Sequence, residues 1–260
     1  MREPVFQDSL PHQPWADPRT WRLPGMLPCG AEDWIRPDEA FAGQMAERDW
    51  LIATRQPLVH ALLPEGRAAA AELYAVVLEL LSRRDGYAVG PDRVRRPDGV
   101  EVRLDPAFPL ITLGRLVQED LCLMEKQGEE SVLTGAILCF PASWTLGQKI
   151  GSPMTGIHRP VRHYDEDVAR RVQRLFDLVR VGQPLERYNA LVYDDPALHN
   201  PRQEFDTRPY AVERLYMRSE RQCILRLPET GAVVFSIHTH LVPMARFSEA
   251  ERAAMVAAGL

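Results

Sequence analysis

The stretch Cys139-Phe-Pro-Ala-Ser-Trp-Thr-Leu-Gly-Gln-Lys-Ile-Gly-Ser-Pro-Met-Thr-Gly-Ile-His158-Arg-Pro-Val161 places one imidazole directly ahead of an Arg-Pro step, after a segment bearing Trp144 and Lys149. Neutral imidazole is the commonest side-chain ligand for transition metals, which makes His158 a candidate ligand. A surface or structural histidine is the plainer account of the same residue.

Three further groups carry possible chemistry. Gln118-Glu119-Asp120 sets adjacent acids inside an apolar segment. A partly buried carboxylate there can act as an acid or base or bind a cation, or it can simply start a helix or close an ion pair. His238 and His240 are two apart on a predicted strand, so both side chains share one face. That face can give two ligands to zinc or non-heme iron, with a carboxylate as the third, or it can be ordinary sheet packing. Arg221, in Glu220-Arg221-Gln222, offers a planar fork suited to clamping a carboxylate. A salt bridge to Glu119, Asp120 or Glu220 is the alternative.

Several common chemistries lack their motifs. There is no GxGxxG, no Walker loop, no GxSxG elbow and no HExxH. Cys29, Cys122, Cys139 and Cys223 show no two-residue pairing of the kind that zinc thiolate sites use. Three of the four lie in apolar runs, which suits small buried hydrophobes in a reducing compartment.

The elements that must position these residues read as follows. Residues 1–37 are rich in Pro and Trp and predict an arm anchored on the body by its indoles. A helix is expected from Asp38, as N-cap, to about Thr54, with Pro57 ending it. A second runs from about Glu65 to Arg83, and Pro97-Asp-Gly99 predicts a turn between short extended pieces. Ser131–Phe140 reads as a buried strand, Ser143 as the cap of a short helix over Trp144–Ile150, and Asp165–Val179 as an amphipathic helix. The Arg170, Arg171 and Arg174 face of that helix reads as solvated. Arg187–Tyr193, Arg214–Leu227 and Ala232–Val242 predict antiparallel strands, the last two joined at Pro228-Glu-Thr-Gly231. Ser248 caps a final helix. Helices first and strands late favour an α+β class, with residues 38–260 as one domain.

The 260 residues are 45% hydrophobic and 26% charged, an ordinary globular balance. A formal charge of -5 gives no basic footprint for nucleic acid. No run of 18 apolar residues predicts a membrane span. The first residues lack the apolar stretch of a signal peptide. A cytoplasmic protein with no membrane or nucleic-acid partner is the expectation.

Taken in order, Val117-Gln-Glu-Asp-Leu-Cys-Leu123, Cys139-Phe-Pro-Ala-Ser-Trp144, Lys149-Ile-Gly151, Ile157-His-Arg-Pro-Val161, Glu220-Arg-Gln222 and Arg226-Leu-Pro-Glu-Thr-Gly-Ala-Val-Val-Phe235 give this chain a specific likeness. It resembles the heme-dependent oxidative N-demethylase alpha-subunit-like family over roughly residues 20 to 245. The resemblance implies a PAS-like antiparallel sheet flanked by helices and a heme b cofactor. It also implies a monooxygenase-like oxidation of a small amine, dimethylamine in the characterised case, using dioxygen. Electrons would come from an external flavin and iron-sulfur reductase subunit, and a further tetrahydrofolate-dependent subunit would capture formaldehyde. On this likeness His158 is the axial ligand, with His240 or His238 as alternatives. Glu119 would orient the amine or relay protons, and Arg221 would hold a propionate. Trp144 and Lys149 would line the pocket or clamp the second propionate. The chain departs from the family pattern at His240, where an aromatic residue is usual, and near Asn189-Ala190, where a Trp is usual. A PAS-like heme or small-ligand binding protein without turnover, such as a sensor, is the alternative function.

Overall fold

Along Tyr216–Arg226 and Val233–Pro243 nearly every side chain is buried, whichever way it points. Successive side chains of a strand face opposite sides, so this pair must lie in a sheet covered on both faces. The computed structural model of the protein describes residues 3–21, 24–159, 165–204, 206 and 212–260, and shows that arrangement. Pro160 and Val161 of the His158 motif, and residues 1, 2, 22 and 23 of the N-terminal segment, lie outside the described residues.

The helices are α1 (Pro18–Trp21), α2 (Phe41–Val59), α3 (Arg67–Ser82), α4 (Pro109–Gly114), α5 (Leu146–Lys149), α6 (Met154–His158), α7 (Glu166–Leu178) and α8 (Glu249–Ala257). The strands are β1 (Leu27–Pro28), β2 (His60–Leu62), β3 (Ala88–Val89), β4 (Arg93–Arg95), β5 (Glu101–Arg103), β6 (Asp120–Gln127), β7 (Glu130–Ile137), β8 (Leu185–Tyr188), β9 (Leu191–Tyr193), β10 (Tyr216–Arg226) and β11 (Val233–Pro243). An eight-stranded antiparallel sheet runs β1-β8-β10-β11-β6-β7-β2, with β9 also paired to β10, and β3, β4 and β5 form a small second sheet. The α+β class with helices on an antiparallel sheet is therefore the observed one. No helix among the described residues is long and apolar enough to cross a membrane.

Strand alternation divides the core in two. Leu121, Leu123, Cys223, Leu225 and Val234 face helices α2, α3 and α4. In α3, Ala69, Ala70, Leu73, Val77, Leu80 and Leu81 recur at helical spacing and bury one stripe against the sheet. Cys122, Met124, Ile224, Val233 and Ile237 face the other way, toward Leu146, Met154 and Phe176. On α7, Arg170 and Arg171 are exposed and pair with Asp167 on the same helix, the solvated face expected of that cluster.

Some boundaries differ from expectation. Helix α2 begins at Phe41, and the Asp38 carboxylate accepts from Ala40 N at 2.9 Å just ahead of it. Pro57 does not end it. The chain breaks at Arg55 (φ −134°, ψ 27°), and Pro57 falls in the first turn of the short segment that follows, where a missing N–H is tolerated. Ser143 caps nothing. It is left-handed (φ 62°), its hydroxyl meets Tyr193 Oη at 2.9 Å, and Thr145 precedes α5 instead. The predicted strand Arg187–Tyr193 is split into β8 and β9 at Asn189 and Ala190.

One ion pair ties the two sides together. Arg48 of α2 and Asp120 at the start of β6 are both fully buried, 2.6 Å apart. The Asp120 carboxylate also accepts from Cys139 N at 2.7 Å and Phe140 N at 2.9 Å, and the Arg48 guanidinium donates to Gly114 O and Gln118 O. Removing one partner of a buried pair leaves the other charge uncompensated. Arg48→Met is expected to cost about 3–5 kcal/mol, read as a lower urea midpoint in equilibrium unfolding. A loss below about 1 kcal/mol, the range of an exposed pair, would show that the pair is not structural.

Candidate functional site

The cassette that follows β7 is laid across one face of the sheet by backbone contacts. Asp120 holds its root at Cys139 and Phe140. Ser143 N donates to Asn200 O at 3.0 Å. Gly151, at φ 74°, lets the chain turn after α5, and Gly151 N donates to Leu133 O while Leu133 N donates to Ser152 O. Pro153 then bridges Val132 and opens α6, which ends on His158.

Between cassette, sheet and α7 lies a cavity of about 510 Å³, within the size range of cofactor and small-molecule sites. Its apolar walls come from Met124, Leu133, Ile224, Phe235 and Ile237 on the sheet, Leu175 and Phe176 on α7, and Trp144, Met154 and Ile157 on the cassette. Its polar groups include His158, Lys149, Arg187, Asn189, Glu204, Glu220 and Gln222, with Arg202 and Asp206 also on the lining.

The geometry of these groups is specific. His158 Nδ1 lies 3.0 Å from Met154 O. A carbonyl only accepts, so Nδ1 carries the hydrogen and the lone pair sits on Nε2. Burial lowers the His158 pKa, which favours the neutral ring. Lys149 is buried and ion-paired with Glu204, which also meets Arg159 at 3.2 Å. Arg187 donates to Gln222 Oε1 at 3.4 Å, while its Nε is buried with no hydrogen-bond partner among the described residues. Burial lowers its pKa, partly offset by Glu220. Glu220 is held by Asn189 Nδ2 at 2.8 Å and Gln222 Nε2 at 2.9 Å. The cavity thus joins a neutral imidazole, a half-buried arginine whose Nε has no partner among the described residues, and an oriented carboxylate to apolar walls.

His158, Trp144 and Lys149 are therefore brought together on one cavity. Glu119, Arg221, His238 and His240 are not; they lie on the opposite face of the sheet. Arg221 is ion-paired with Glu186, its Nε 2.7 Å from Oε2, and it donates to Cys29 Sγ at 3.2 Å; it does not meet Glu119, Asp120 or Glu220. Glu119 Oε1 lies 2.9 Å from His238 Nδ1, and His238 Nε2 lies 3.1 Å from Asp38 Oδ2. Burial alone would lower His238, but the two carboxylates outweigh it and push the imidazole up to about 9. Burial and then the His238 charge push His240 down to about 3. Sequence reasoning missed Glu220, Gln222 and Arg187 as cavity residues. The signal was present, because the alternation that turns Arg221 away must turn Glu220 and Gln222 toward the other face.

A covered antiparallel sheet enclosing a mostly apolar cavity with a few convergent polar groups is the architecture of a ligand- or cofactor-binding protein. The chain belongs to the family described as Haem-dependent oxidative N-demethylase, alpha subunit-like, whose model matches residues 25–260.

The buried bond between Glu119 and His238 gives a direct test of the far face. Glu119→Gln removes the charged acceptor and is expected to cost about 1.5–3 kcal/mol in urea unfolding at neutral pH, the range for hydrogen bonds to charged groups. An unchanged midpoint would mean that the pair contributes nothing to the fold.

Proposed function

We propose that the cavity holds heme b with His158 as axial ligand. The chain then oxidises a small amine with dioxygen and electrons delivered by a separate flavin and iron-sulfur reductase. On this reading residues 38–260 form a PAS-like heme-binding unit and the Pro- and Trp-rich segment 1–37 packs on it. The observation that carries the reading is the placement of a neutral imidazole and the half-buried Arg187, with its buried Nε, on the walls of one apolar cavity. Family membership supports it independently.

The donor set suits the group. The Nε2 lone pair of His158 would hold the heme iron. Arg187, with an unsatisfied buried Nε, and Lys149 are cations of the type that hold propionates. Met124, Phe176, Ile224 and Phe235, on the cavity walls, would supply apolar contact and exclude water. When bound, heme supplies the one-electron and dioxygen chemistry that side chains lack. On this reading Glu220, which lines the cavity, takes the role that sequence reasoning gave to Glu119. Its carboxylate, fixed by Asn189 and Gln222, would orient an ammonium group and accept its proton.

Protein purified from heme-supplied cells is expected to show a Soret band that is lost or shifted in His158→Ala. Arg187→Met should weaken heme binding about tenfold, which is ~1.4 kcal/mol, without moving the band. With a small amine and an electron donor the protein should consume oxygen steadily, and Glu220→Gln should lower kcat by about 10² or more. An unchanged spectrum in His158→Ala removes the ligand assignment. A Soret band with no amine-dependent oxygen uptake leaves a binding or sensor protein.

A further inference from the structure

On the face of the sheet away from the cavity, Asp38, His238 and His240 gather three ligand atoms that all lie within 4.8 Å of one another. Asp38 stands at the entry to α2, and the two histidines alternate along β11. His238 Nε2 is 3.1 Å and His240 Nε2 is 3.9 Å from Asp38 Oδ2. The rings stack with centroids 4.5 Å apart and planes 17° apart. A tetrahedral zinc ion with bonds of about 2.0–2.1 Å places its ligand atoms roughly 3.3 Å apart, so these separations need only small side-chain adjustments.

The surrounding residues support ligation. The Nδ1 of His238 is held by the Glu119 carboxylate at 2.9 Å. A metal-bound histidine usually donates its second ring N–H to such a group. Asp38 is oriented by Gln118 Nε2 on Oδ1 at 2.7 Å and by Gln7 Nε2 on Oδ2 at 2.8 Å. Both Asp38 and Glu119 are acidic, and Glu119 Oε2 is buried with no hydrogen-bond partner among the described residues. A dication with two neutral imidazoles and these two carboxylates is a neutral set.

We propose that Asp38, His238 and His240 form a site for a divalent transition metal of the zinc type, separate from the cavity, that pins the start of α2 to the sheet. Binding exchanges one proton for the metal. The proton on His238 Nε2 leaves to solvent, a metal–nitrogen bond replaces the N–H, and the Asp38 oxygen that accepted its hydrogen bond becomes a ligand. Nothing is oxidised or reduced. The site does not depend on heme, and Asp38 is partly exposed, which gives the ion a route in.

The test uses the full chain after chelator treatment, titrated with cobalt(II) and then zinc(II). One equivalent of cobalt per chain is expected, with the visible bands of a low-symmetry site that zinc abolishes. Zinc should also raise the thermal midpoint. His240→Phe keeps a ring in the stack and should weaken cobalt binding at least tenfold. If that variant fails to fold, Glu119→Gln, which lacks the ionised outer carboxylate, should weaken it about 10–100-fold. His158→Ala should leave cobalt binding unchanged while altering the Soret band, so failure here and failure of the heme assignment are told apart. No stoichiometric cobalt binding in the wild-type chain, or cobalt binding lost in His158→Ala and retained in His240→Phe, overturns the proposal.

Discussion

The buried contact between Arg48 and Asp120 is the constraint from which the rest of the structure follows. A carboxylate fully removed from water needs compensation for its lost hydration. Asp120 finds it in one guanidinium and two backbone amides, those of Cys139 and Phe140. The carboxylate and its partners belong to three places in the chain: the first residue of β6, α2, and the exit from β7. Satisfying one charge therefore fixes the helical layer on one face and the point at which the cassette departs for the other. The cavity wall between Ala142 and His158 starts from that anchor and is then held by the contacts of Ser143, Gly151 and Ser152.

The sheet works as a partition. Along β10 and β11, alternate side chains serve two different environments separated by the thickness of one backbone layer. Glu220, Gln222, Ile224, Phe235 and Ile237 face the cavity. Arg221, Cys223, Ser236 and His238 face the helical layer and the N-terminal segment. Polar groups on the cavity side converge on enclosed space. On the far side many of them pair with one another, as in Arg221 with Glu186 and His238 with Asp38 and Glu119.

Much of the frame was legible because it rests on local signals. The hairpin of β10 and β11 follows from two β-rich runs and the Pro228–Gly231 turn, where Gly231 takes φ 71°. Helices α7 and α8 begin where Asp165 and Ser248 can accept from the N3 backbone, and Ser248 completes its box with Glu251. The cavity wall was legible in part, since Trp144, Lys149 and His158 sit in one short stretch. What was hidden depends on contacts across long separations. Nothing local links Asp38 to His238, 200 positions away, or tells that Asp120, and not Glu119, secures the cassette. Ser143 shows the opposite failure. A good capping residue type was overridden by a left-handed turn that sends its hydroxyl to Tyr193.

The sheet is bordered by β1, two residues long and closing on Pro28, by β9, three residues long, and by β2, three residues long. Short and proline-bearing borders offer few open amide and carbonyl groups for another chain to copy. Association of this protein with others, in health or on heating, is thereby steered away from strand-by-strand extension and toward its helical and loop surfaces.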